Sequence, residues 1–419
     1  MKMIINRPIY LNQLIESQNN GLIKIITGLR RCGKSYLLFR IFAEHLRSQG
    51  IKENHIIKID LEDIRRASLR HPETLVAYID EQIKDRDNYY VLLDEVQYVA
   101  NFHEALNSYL NVDNVDVYVT GSNSKFLSSD IATEFRGRGD VIHIYPLSFS
   151  EYYSAVGGDK SEAWRNYFTF GGLPHVVTLD SHQKKIQYLQ NLYSTVYLKD
   201  LLERQRISKA REFDELVEIV ASTIGAPCNP SKLSNTFKSL ENSDLSPHTI
   251  RNYLEYLMDA FLIEKAQRYD VKGRKYVNSL FKLYVTDTGV RNAILHFRQQ
   301  EESHLMENII YNELRIRGFS VDVGVVEYKG KDVNNQWIRK KFEVDFVANM
   351  GFKRYYIQSA LTIPDDDKLR QESNSLSNIN DDFKKIIIVR DYILPWQTTN
   401  GILVLGLFDF LLNPRSLEL

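Results

Sequence analysis

The 419-residue sequence has little of several features that would narrow its class. It contains only two cysteines, Cys32 and Cys228, which excludes a disulfide framework and a zinc site built from several cysteines. No run reaches the roughly 18 apolar residues of a membrane span, and the N-terminal segment lacks the long apolar stretch of a signal peptide. We therefore expect a protein of the reducing cytoplasm with no membrane partner.

The sequence also lacks an excess of charge of either sign, internal repeats and low-complexity segments. Its 53 basic and 54 acidic residues give a formal net charge of −1. A chain with this balance can attract nucleic acid only through a local basic patch. A chain of this length usually folds around more than one hydrophobic core, so we predict roughly two to four domains.

The first positive signal is a glycine-containing loop between a predicted strand and a predicted helix. Residues 22–27 are apolar and β-branched, and an apolar-rich helix is predicted to begin at Lys34. In this context glycines let the backbone approach a phosphate, and N–H groups at the start of the helix point at it. The predicted ATP-binding residues are Gly28, Leu29, Arg30, Arg31, Cys32, Gly33, Lys34, Ser35 and Tyr36.

Four residues have specific predicted roles toward ATP and Mg²⁺. Lys34 is predicted to bridge the β- and γ-phosphates, and the Ser35 hydroxyl to bind Mg²⁺. Asp94 and Glu95 end an apolar strand that begins at Tyr89. Because ligands of open parallel sheets lie at the carboxyl ends of strands, we expect both acids beside the loop. Asp94 would then hold Mg²⁺, and Glu95 would orient or deprotonate the attacking water.

Further candidates lie in two segments after the next predicted strands. Ser122 and Asn123 follow the strand 115–120, where a polar side chain can reach the γ-phosphate or the attacking water. The alternative is a plain turn, since both residues are common turn formers. Arg136 or Arg138 precedes a fifth predicted strand at 141–145. Either can act as an arginine finger, in cis or on a neighbouring subunit, or be an ordinary surface arginine.

These segments resemble a large prokaryotic family of AAA+-type P-loop ATPases, close to the archaeal-type ATPases. The resemblance is carried by residues 28–35, 92–97, 119–124, 136–139 and 145–152. It implies a five-stranded nucleotide-binding core with the phosphate-loop strand central, a helical lid and a C-terminal domain of unknown function. It also implies that Arg138 corresponds to the arginine finger.

The middle of the chain has the pattern of a winged helix-turn-helix. Ser246 and Pro247 are typical of a helix start, and apolar residues at helical spacing follow them. Two strands around Lys272-Gly273 would form the wing. Basic residues on this segment predict contact with double-stranded DNA, and the equally weighted alternative is packing against the ATPase domain or a protein partner. The basic positions expected to be exposed are Lys238, Arg251, Lys265, Arg268, Lys272, Arg274 and Lys275.

The C-terminal segment has a predicted αβββαβ order similar to that of the restriction-endonuclease-like fold. Glu307, Asp345 and Gln358 match the acidic and amide positions of such a site. The lysine that would activate water is absent, since Ala360 stands at its position. We therefore predict a degenerate domain that binds rather than cuts, although Lys329 or Lys353 can substitute for that lysine in space.

Together these patterns predict an α/β protein whose cofactors are ATP and Mg²⁺. The predicted segments are a P-loop AAA+-type core at 1–155, a helical lid and linker at 156–211, a winged helix at 212–298 and a restriction-endonuclease-like domain at 299–419. The predicted function is hydrolysis of MgATP that drives or gates movement of the C-terminal domains, with DNA as one partner. The alternatives are a nucleotide-gated switch that binds DNA or protein with little turnover, and a Mg²⁺-dependent nuclease, which Ala360 disfavours.

Overall fold

The computed structural model describes residues 4–121, 137–240, 245–331 and 336–419, apart from the side chains of 240, 277–279 and 329–331. The chain divides into two compact units. The first comprises residues 1–147, 173–178 and 259–261, and the second comprises 148–172, 179–258 and 262–419. Among the described residues, no helix combines the length and the apolar character needed to cross a membrane.

The first unit is built around a five-stranded sheet in which every pairing is parallel. The strand order is β2-β3-β4-β1-β5, which confirms the predicted five-stranded α/β core. The phosphate-loop strand β1 lies between β4 and β5, so the expectation that it is the central strand was wrong. The strands span Ile23–Gly28 (β1), Ile56–Asp60 (β2), Tyr89–Asp94 (β3), Val115–Thr120 (β4) and Gly139–Ile144 (β5).

Helices cover this sheet, which explains its apolar sequence pattern. All six residues of β1 and all six of β3 are buried, as expected for parallel strands packed on both faces. Helical segments of the unit span Pro8–Glu16, Lys34–Tyr36, Leu37–Phe42, Ala43–Ser48, Glu53–His55, Ile64–Arg70, Pro72–Gln82, Val96–Tyr98, Phe102–Ser108, Tyr109–Asn111 and Pro174–Val177. The segment Leu37–Phe42 is π-helical and lies in the helix that follows the phosphate loop; such segments occur often near functional sites.

The second unit contains a nine-stranded mixed sheet of order β13-β14-β12-β11-β10-β9-β7-β8-β6. Its strands span Pro227–Cys228 (β6), Ile263–Asp270 (β7), Lys275–Val285 (β8), Ser320–Lys331 (β9), Trp337–Met350 (β10), Lys353–Ala360 (β11), Lys384–Val389 (β12), Trp396–Gln397 (β13) and Leu403–Gly406 (β14). Its helical segments span Phe149–Val156, Lys160–Phe170, His182–Leu192, Tyr193–Leu198, Lys199–Arg204, Ala210–Ser222, Pro230–Leu240, Pro247–Asp259, Thr288–Ile294, Glu302–Ile316, Asp366–Ser377, Leu407–Leu412 and Ser416–Glu418.

The predicted winged-helix segment and the predicted C-terminal domain share this one sheet. Helices Pro230–Leu240 and Pro247–Asp259 are followed by the antiparallel hairpin β7–β8, in the order that a winged helix requires. Strand β7 then pairs in parallel with β9. The C-terminal elements follow the predicted αβββαβ order and continue into β13 and β14, which the sequence pattern did not predict. The winged-helix and endonuclease-like assignments, and the four domain boundaries, stay predictions.

Helix Lys160–Phe170 is held to helix Thr288–Ile294 by Asp287. The Asp287 carboxylate accepts hydrogen bonds from the backbone N–H groups of Val290, at 2.9 Å, and Gly172, at 2.7 Å. Burial raises the pKa of Asp287 to about 6. Gly289 is required at this contact, because a Cβ there would lie 2.0 Å from the carbonyl oxygen of Phe170.

Aromatic side chains on helices Phe149–Val156 and Lys160–Phe170 are packed against one another. The rings of Phe149 and Trp164 meet edge to face with centroids 5.8 Å apart, and those of Tyr152 and Tyr167 lie 5.2 Å apart. All four residues are buried. They therefore serve this core rather than offering a surface for stacking bases.

Candidate nucleotide-binding site

The phosphate loop joins the end of β1 to the helix that begins at Lys34. Gly28 has φ of +137°, and a Cβ there would lie 2.1 Å from the carbonyl oxygen of Ile144 on β5. Gly33 has φ of +101° and directly precedes the helix. Only glycine adopts these conformations without strain, so both positions predicted to need glycine do require it.

The amine of Lys34 lies inside the loop. Lys34 is 4% exposed, and its Nζ donates to the carbonyl oxygens of Gly28, at 2.9 Å, and Leu29, at 3.1 Å. Hydrogen bonds from a charged donor contribute roughly 1.5–3 kcal/mol each. The loop therefore holds a buried positive charge at the position where the sequence predicts a phosphate.

A residue that the sequence analysis missed fixes the other side of the loop. The guanidinium group of Arg7 donates to the carbonyl oxygen of Cys32, at 3.0 Å, and to that of Tyr145, at 2.7 Å. It thereby joins the phosphate loop to the segment after β5. Arg7 is buried and stacks over the Tyr10 ring. Cys32 is fully buried, so its side chain is not accessible to a nucleotide bound at the loop.

The remaining predicted loop residues differ in their exposure. The guanidinium of Arg30 lies 3.7 Å from a carboxylate oxygen of Glu62. Arg31 is exposed and has φ of +71°. Leu29 is buried, and Tyr36 is 41% exposed on the first turn of the helix. Arg31 and Tyr36 are thus accessible to a nucleotide bound at the loop.

The predicted acidic residues lie at the carboxyl ends of neighbouring strands. Asp94 ends β3, opposite Asp60 at the end of β2. The Ser35 hydroxyl lies close enough to the Asp94 carboxylate to lower its pKa, so the two residues predicted to bind Mg²⁺ lie beside each other. Burial raises the pKa of Asp94, and the hydroxyls of Ser35 and Thr120 oppose that shift.

Thr120, at the end of β4, contacts both Asp94 and Glu95. Its hydroxyl donates to Asp94 Oδ1 and accepts a hydrogen bond from the backbone N–H of Glu95 at 3.0 Å. Glu95 has φ of +52°, an unfavourable conformation for a residue with a side chain. The Gln97 amide donates to the Glu95 carboxylate. Thr120 and Gln97 therefore set the position of Glu95, and the sequence analysis did not single out either residue.

A hydroxyl beside a carboxylate at the start of the phosphate-loop helix is a suitable partial ligand set for Mg²⁺. Magnesium prefers oxygen ligands, and at nucleotide sites it takes one or two from the protein and others from phosphates and water. Ser35 and Asp94 supply such oxygens. The site is therefore chemically suited to a nucleotide carried with Mg²⁺.

Three predicted residues lie outside the described residues: Ser122, Asn123 and Arg136. Arg138 is described and exposed, and the structure does not bring it to the phosphate loop of its own chain. Its carbonyl oxygen accepts a hydrogen bond from the N–H of Ile23, at the start of β1. The loop follows Gly28 at the other end of that strand, about 17 Å away at the usual rise per residue.

In the second unit, the acidic residues Glu307 and Asp345, predicted to belong to an endonuclease-like site, lie close to the amine of Lys282. The Lys282 amine lies 3.0 Å from carboxylate oxygens of Glu307 and Glu343 and 3.9 Å from one of Asp345. Burial, followed by the charge of Glu307, raises the pKa of Asp345. These carboxylates raise the pKa of Lys282 despite its own burial. Lys282 comes from β8, which is distant in sequence, so the spacing of the predicted motif gave no signal for it.

Other residues considered for this cluster have different contacts. Gln358 accepts a hydrogen bond from Ser375 at 3.3 Å, and Ala360 is part of the apolar core. Lys353 pairs on the surface with Glu418 at 2.7 Å, so it does not replace the lysine missing at 360. The side chain of Lys329 lies outside the described residues.

Comparison with known proteins places the chain in a family. An uncharacterised protein of Haemophilus influenzae is 33% identical over 418 residues, which cover 98% of this chain and 100% of the relative. The chain belongs to the same family as this protein. A further member, the uncharacterised protein MJ1544 of Methanocaldococcus jannaschii, is 31% identical over 386 residues, covering 88% of this chain and 80% of the relative.

Two family models match the chain. Residues 20–153 match the AAA domain, and residues 161–301 match a domain of unknown function, DUF8612. The first match contains the phosphate loop, Asp94, Glu95 and Thr120. With the parallel sheet and the loop geometry described above, it identifies the first unit of this family member as an AAA-type P-loop domain.

Solved structures of lower similarity include the Aeropyrum pernix ORC1 protein in complex with DNA and DnaA bound to AMPPCP and single-stranded DNA. The first is 13% identical with a TM-score of 0.28, and covers 70% of this chain and 93% of its own. The second is 14% identical with a TM-score of 0.31, and covers 60% of this chain and 86% of its own. Scores this low carry no argument about this protein.

The network around Thr120 generates a prediction. We expect Thr120→Val to keep ATP affinity within about threefold but to slow hydrolysis at least about tenfold, because Asp94 and the Glu95 N–H each lose a buried hydrogen bond. Measurement of ATP affinity and steady-state phosphate release tests this. The matched control is Thr27→Val on β1, where the hydroxyl contacts His143 at 3.1 Å rather than the acids. Equal effects of the two substitutions would contradict the role given to Thr120.

Proposed function

We propose that this protein binds and hydrolyses MgATP at the first unit and uses the cycle to change the state of its second unit. The observation that carries the proposal is the single network of Ser35, Asp94, Thr120 and Glu95 beside the buried amine of Lys34. It supplies a phosphate-binding cation, oxygen ligands for a metal and a carboxylate for the attacking water.

In the proposed mechanism, the Lys34 amine gives up its hydrogen bonds to the carbonyl oxygens of Gly28 and Leu29 when nucleotide enters. It then donates to phosphate oxygens instead. The loop N–H groups orient the β-phosphate, and Ser35 and Asp94 are the residues that would hold Mg²⁺. A metal ion held there would offset the negative charge that develops on the phosphate. Glu95, directed by Thr120 and Gln97, accepts the proton of the attacking water. Arg7 keeps the loop in place through the carbonyl of Cys32.

Two substitutions separate binding from hydrolysis. We expect Lys34→Ala to abolish ATP binding, because the loop loses its only buried ammonium group within the described residues. We expect Glu95→Gln to retain binding within about threefold and lose at least about 100-fold in turnover, because an amide cannot accept the proton. Fluorescent-nucleotide titration and phosphate release measure the two effects. The control is Glu81→Gln, an exposed acid on helix Pro72–Gln82. Normal turnover of Glu95→Gln would exclude Glu95 as the residue that activates water.

The position of Arg138 supports a role on a neighbouring subunit rather than on its own chain. Its backbone lies at the amino ends of β1 and β5, whereas the phosphate loop lies at the carboxyl end of β1, and its side chain is exposed. An exposed arginine at this edge can meet the nucleotide of a second copy that approaches from that side. We therefore propose that turnover depends on assembly and that Arg138 acts in trans.

A mixing experiment tests the role of Arg138. Arg138→Ala and Lys34→Ala are each expected to be nearly inactive alone. Mixed in equal amounts they should regain a substantial part of wild-type turnover, because the intact phosphate loop of one copy meets the intact arginine of the other. Mixing Arg138→Ala with the Lys34→Ala/Arg138→Ala double variant is the control and should regain nothing. Full activity of Arg138→Ala alone would remove the arginine from the mechanism.

A second candidate function is nucleotide-gated binding of double-stranded DNA by a winged helix in the second unit. The observation that favours it is the tip of the β7–β8 hairpin, where Lys272, Arg274 and Lys275 are all exposed. Arg268, which was predicted to be exposed with them, is only 17% exposed at its side chain and lies 3.4 Å from Glu343. Lys238, Arg251 and Lys265 are exposed as predicted, so the candidate DNA contact comprises the tip and these three residues. The alternative occupant of the hairpin is a protein partner.

Salt-dependent DNA binding separates these alternatives. Replacing Lys272, Arg274 and Lys275 with alanine should weaken binding and lower the slope of log affinity against log salt by roughly 0.9 per lost phosphate contact. An equal loss of charge at exposed Arg165, Lys184 and Arg298 is the control. The assay is run with ATP, with ADP and without nucleotide, together with DNA stimulation of hydrolysis. Absence of DNA binding by the wild type at low salt would direct the search to protein partners.

For the C-terminal strands we propose a restriction-endonuclease-like fold that binds without cleaving. The ammonium group of Lys282 lies among Glu307, Glu343 and Asp345 and offsets part of their charge. Those carboxylates are the groups that a catalytic Mg²⁺ would need, so the amine competes with the metal. This arrangement, with Ala360 in the apolar core, supports a binding role over nuclease activity.

A further inference from the structure

His55, Asp85 and Asp87 form a cluster at the edge of the first unit opposite the nucleotide site. His55 directly precedes β2, and the two aspartates lie in the turn before β3. One imidazole nitrogen and one carboxylate oxygen from each aspartate lie within 4.8 Å of one another. Three donor atoms at this separation can contact one ion.

The imidazole of His55 supplies an independent indication of a ligand. His55 is 3% exposed, and its Nε2 atom has no hydrogen-bond partner among the described residues. An oxygen of Asp85 lies 3.3 Å from Nε2 but does not form a hydrogen bond with it. Buried polar atoms are rarely left without a partner. Two ligands of a tetrahedral zinc ion, each about 2.0–2.1 Å from the metal, lie roughly 3.3 Å apart.

The turn that carries the two aspartates is held in place by its own hydrogen bonds. The N–H of Asp87 donates to Asp85 Oδ1 at 2.9 Å, and this bond lowers the pKa of Asp85. The Asn114 amide donates to the carbonyl oxygens of both aspartates at 3.2 Å. The Tyr89 ring packs against His55 with centroids 4.4 Å apart. These contacts fix the turn, and the bond from Asp87 is accepted by Oδ1 of Asp85, while Oδ2 faces the imidazole of His55.

One competing cation is present. The amine of Lys52 lies 3.3 Å from Asp87 Oδ2, with both side chains more than 60% exposed. Exposed pairs of this kind are weak because water and salt screen them. A divalent ion can therefore displace Lys52 from Asp87.

We propose that His55, Asp85 and Asp87 bind a divalent transition-metal ion of the Zn²⁺ class, separately from the Mg²⁺ of the nucleotide. Imidazole is a ligand for zinc-like ions, whereas magnesium and calcium prefer sites made of oxygen alone. The ion joins the segment before β2 to the turn before β3. Water completes its coordination on the exposed side.

Metal titration of the full chain, treated with a chelator and free of nucleotide, tests the site. Zn²⁺ is titrated by calorimetry, and Co²⁺ is used as a spectroscopic substitute. We expect one equivalent to bind, with a rise in Tm of about 5 °C at 100-fold excess over Kd. Asp85→Asn and Asp87→Asn should each weaken binding at least tenfold. Both positions are partly exposed, so these variants should fold even where a change of buried His55 does not.

Two further variants make the test specific. Lys52→Ala should tighten binding severalfold, because it removes the competing cation; a purely structural cluster would not respond in this way. Asp113→Asn, at another exposed acid of the same unit, should leave affinity unchanged. The proposal is overturned if the wild type shows no saturable binding, or if Asp85→Asn and Asp87→Asn bind with wild-type affinity.

Discussion

The candidate active site depends on one uncharged group, the hydroxyl of Thr120. It donates to the buried carboxylate of Asp94 and accepts from the backbone of Glu95. A buried carboxylate is costly unless hydrogen-bond donors face it, and Thr120 is such a donor. The same hydroxyl helps hold Glu95 in a left-handed conformation that it would otherwise avoid. The positions of a metal ligand and of the proposed base therefore both follow from one side chain on the neighbouring strand.

The sequence predicted the parts of this site whose functional residues are adjacent along the chain. The phosphate loop is contiguous, so its glycines, Lys34 and Ser35 could be read directly, and Asp94 and Glu95 follow an apolar run that marks a buried strand. Arg7 and Thr120 could not be predicted in this way. Their partners lie 25 or more residues away in sequence, and neither spacing nor residue type distinguishes them from other polar residues.

The fold was predictable to a similar extent. Long apolar or alternating runs located most strands, whereas β2, with five residues including the partly exposed Lys58, was not located from its pattern. The β7–β8 hairpin joins the C-terminal strands by pairing of β7 with β9. This pairing involves three residue pairs, Arg268–Asp270 with Val323–Val325. Lys282 of β8 lies 3.9 Å from Asp345 of β10 within this joined sheet. A contact made by so few residues across more than fifty positions leaves no pattern in the sequence.

The continuous sheet of the second unit also bears on how another chain could pair with it. An open sheet can recruit strands from other chains only along its two outer strands, where backbone N–H and C=O groups are unpaired. Here both outer strands, β6 and β13, are two residues long, and β6 contains a proline, which has no N–H to offer. Each outermost strand therefore offers only a short stretch of backbone for pairing with another chain.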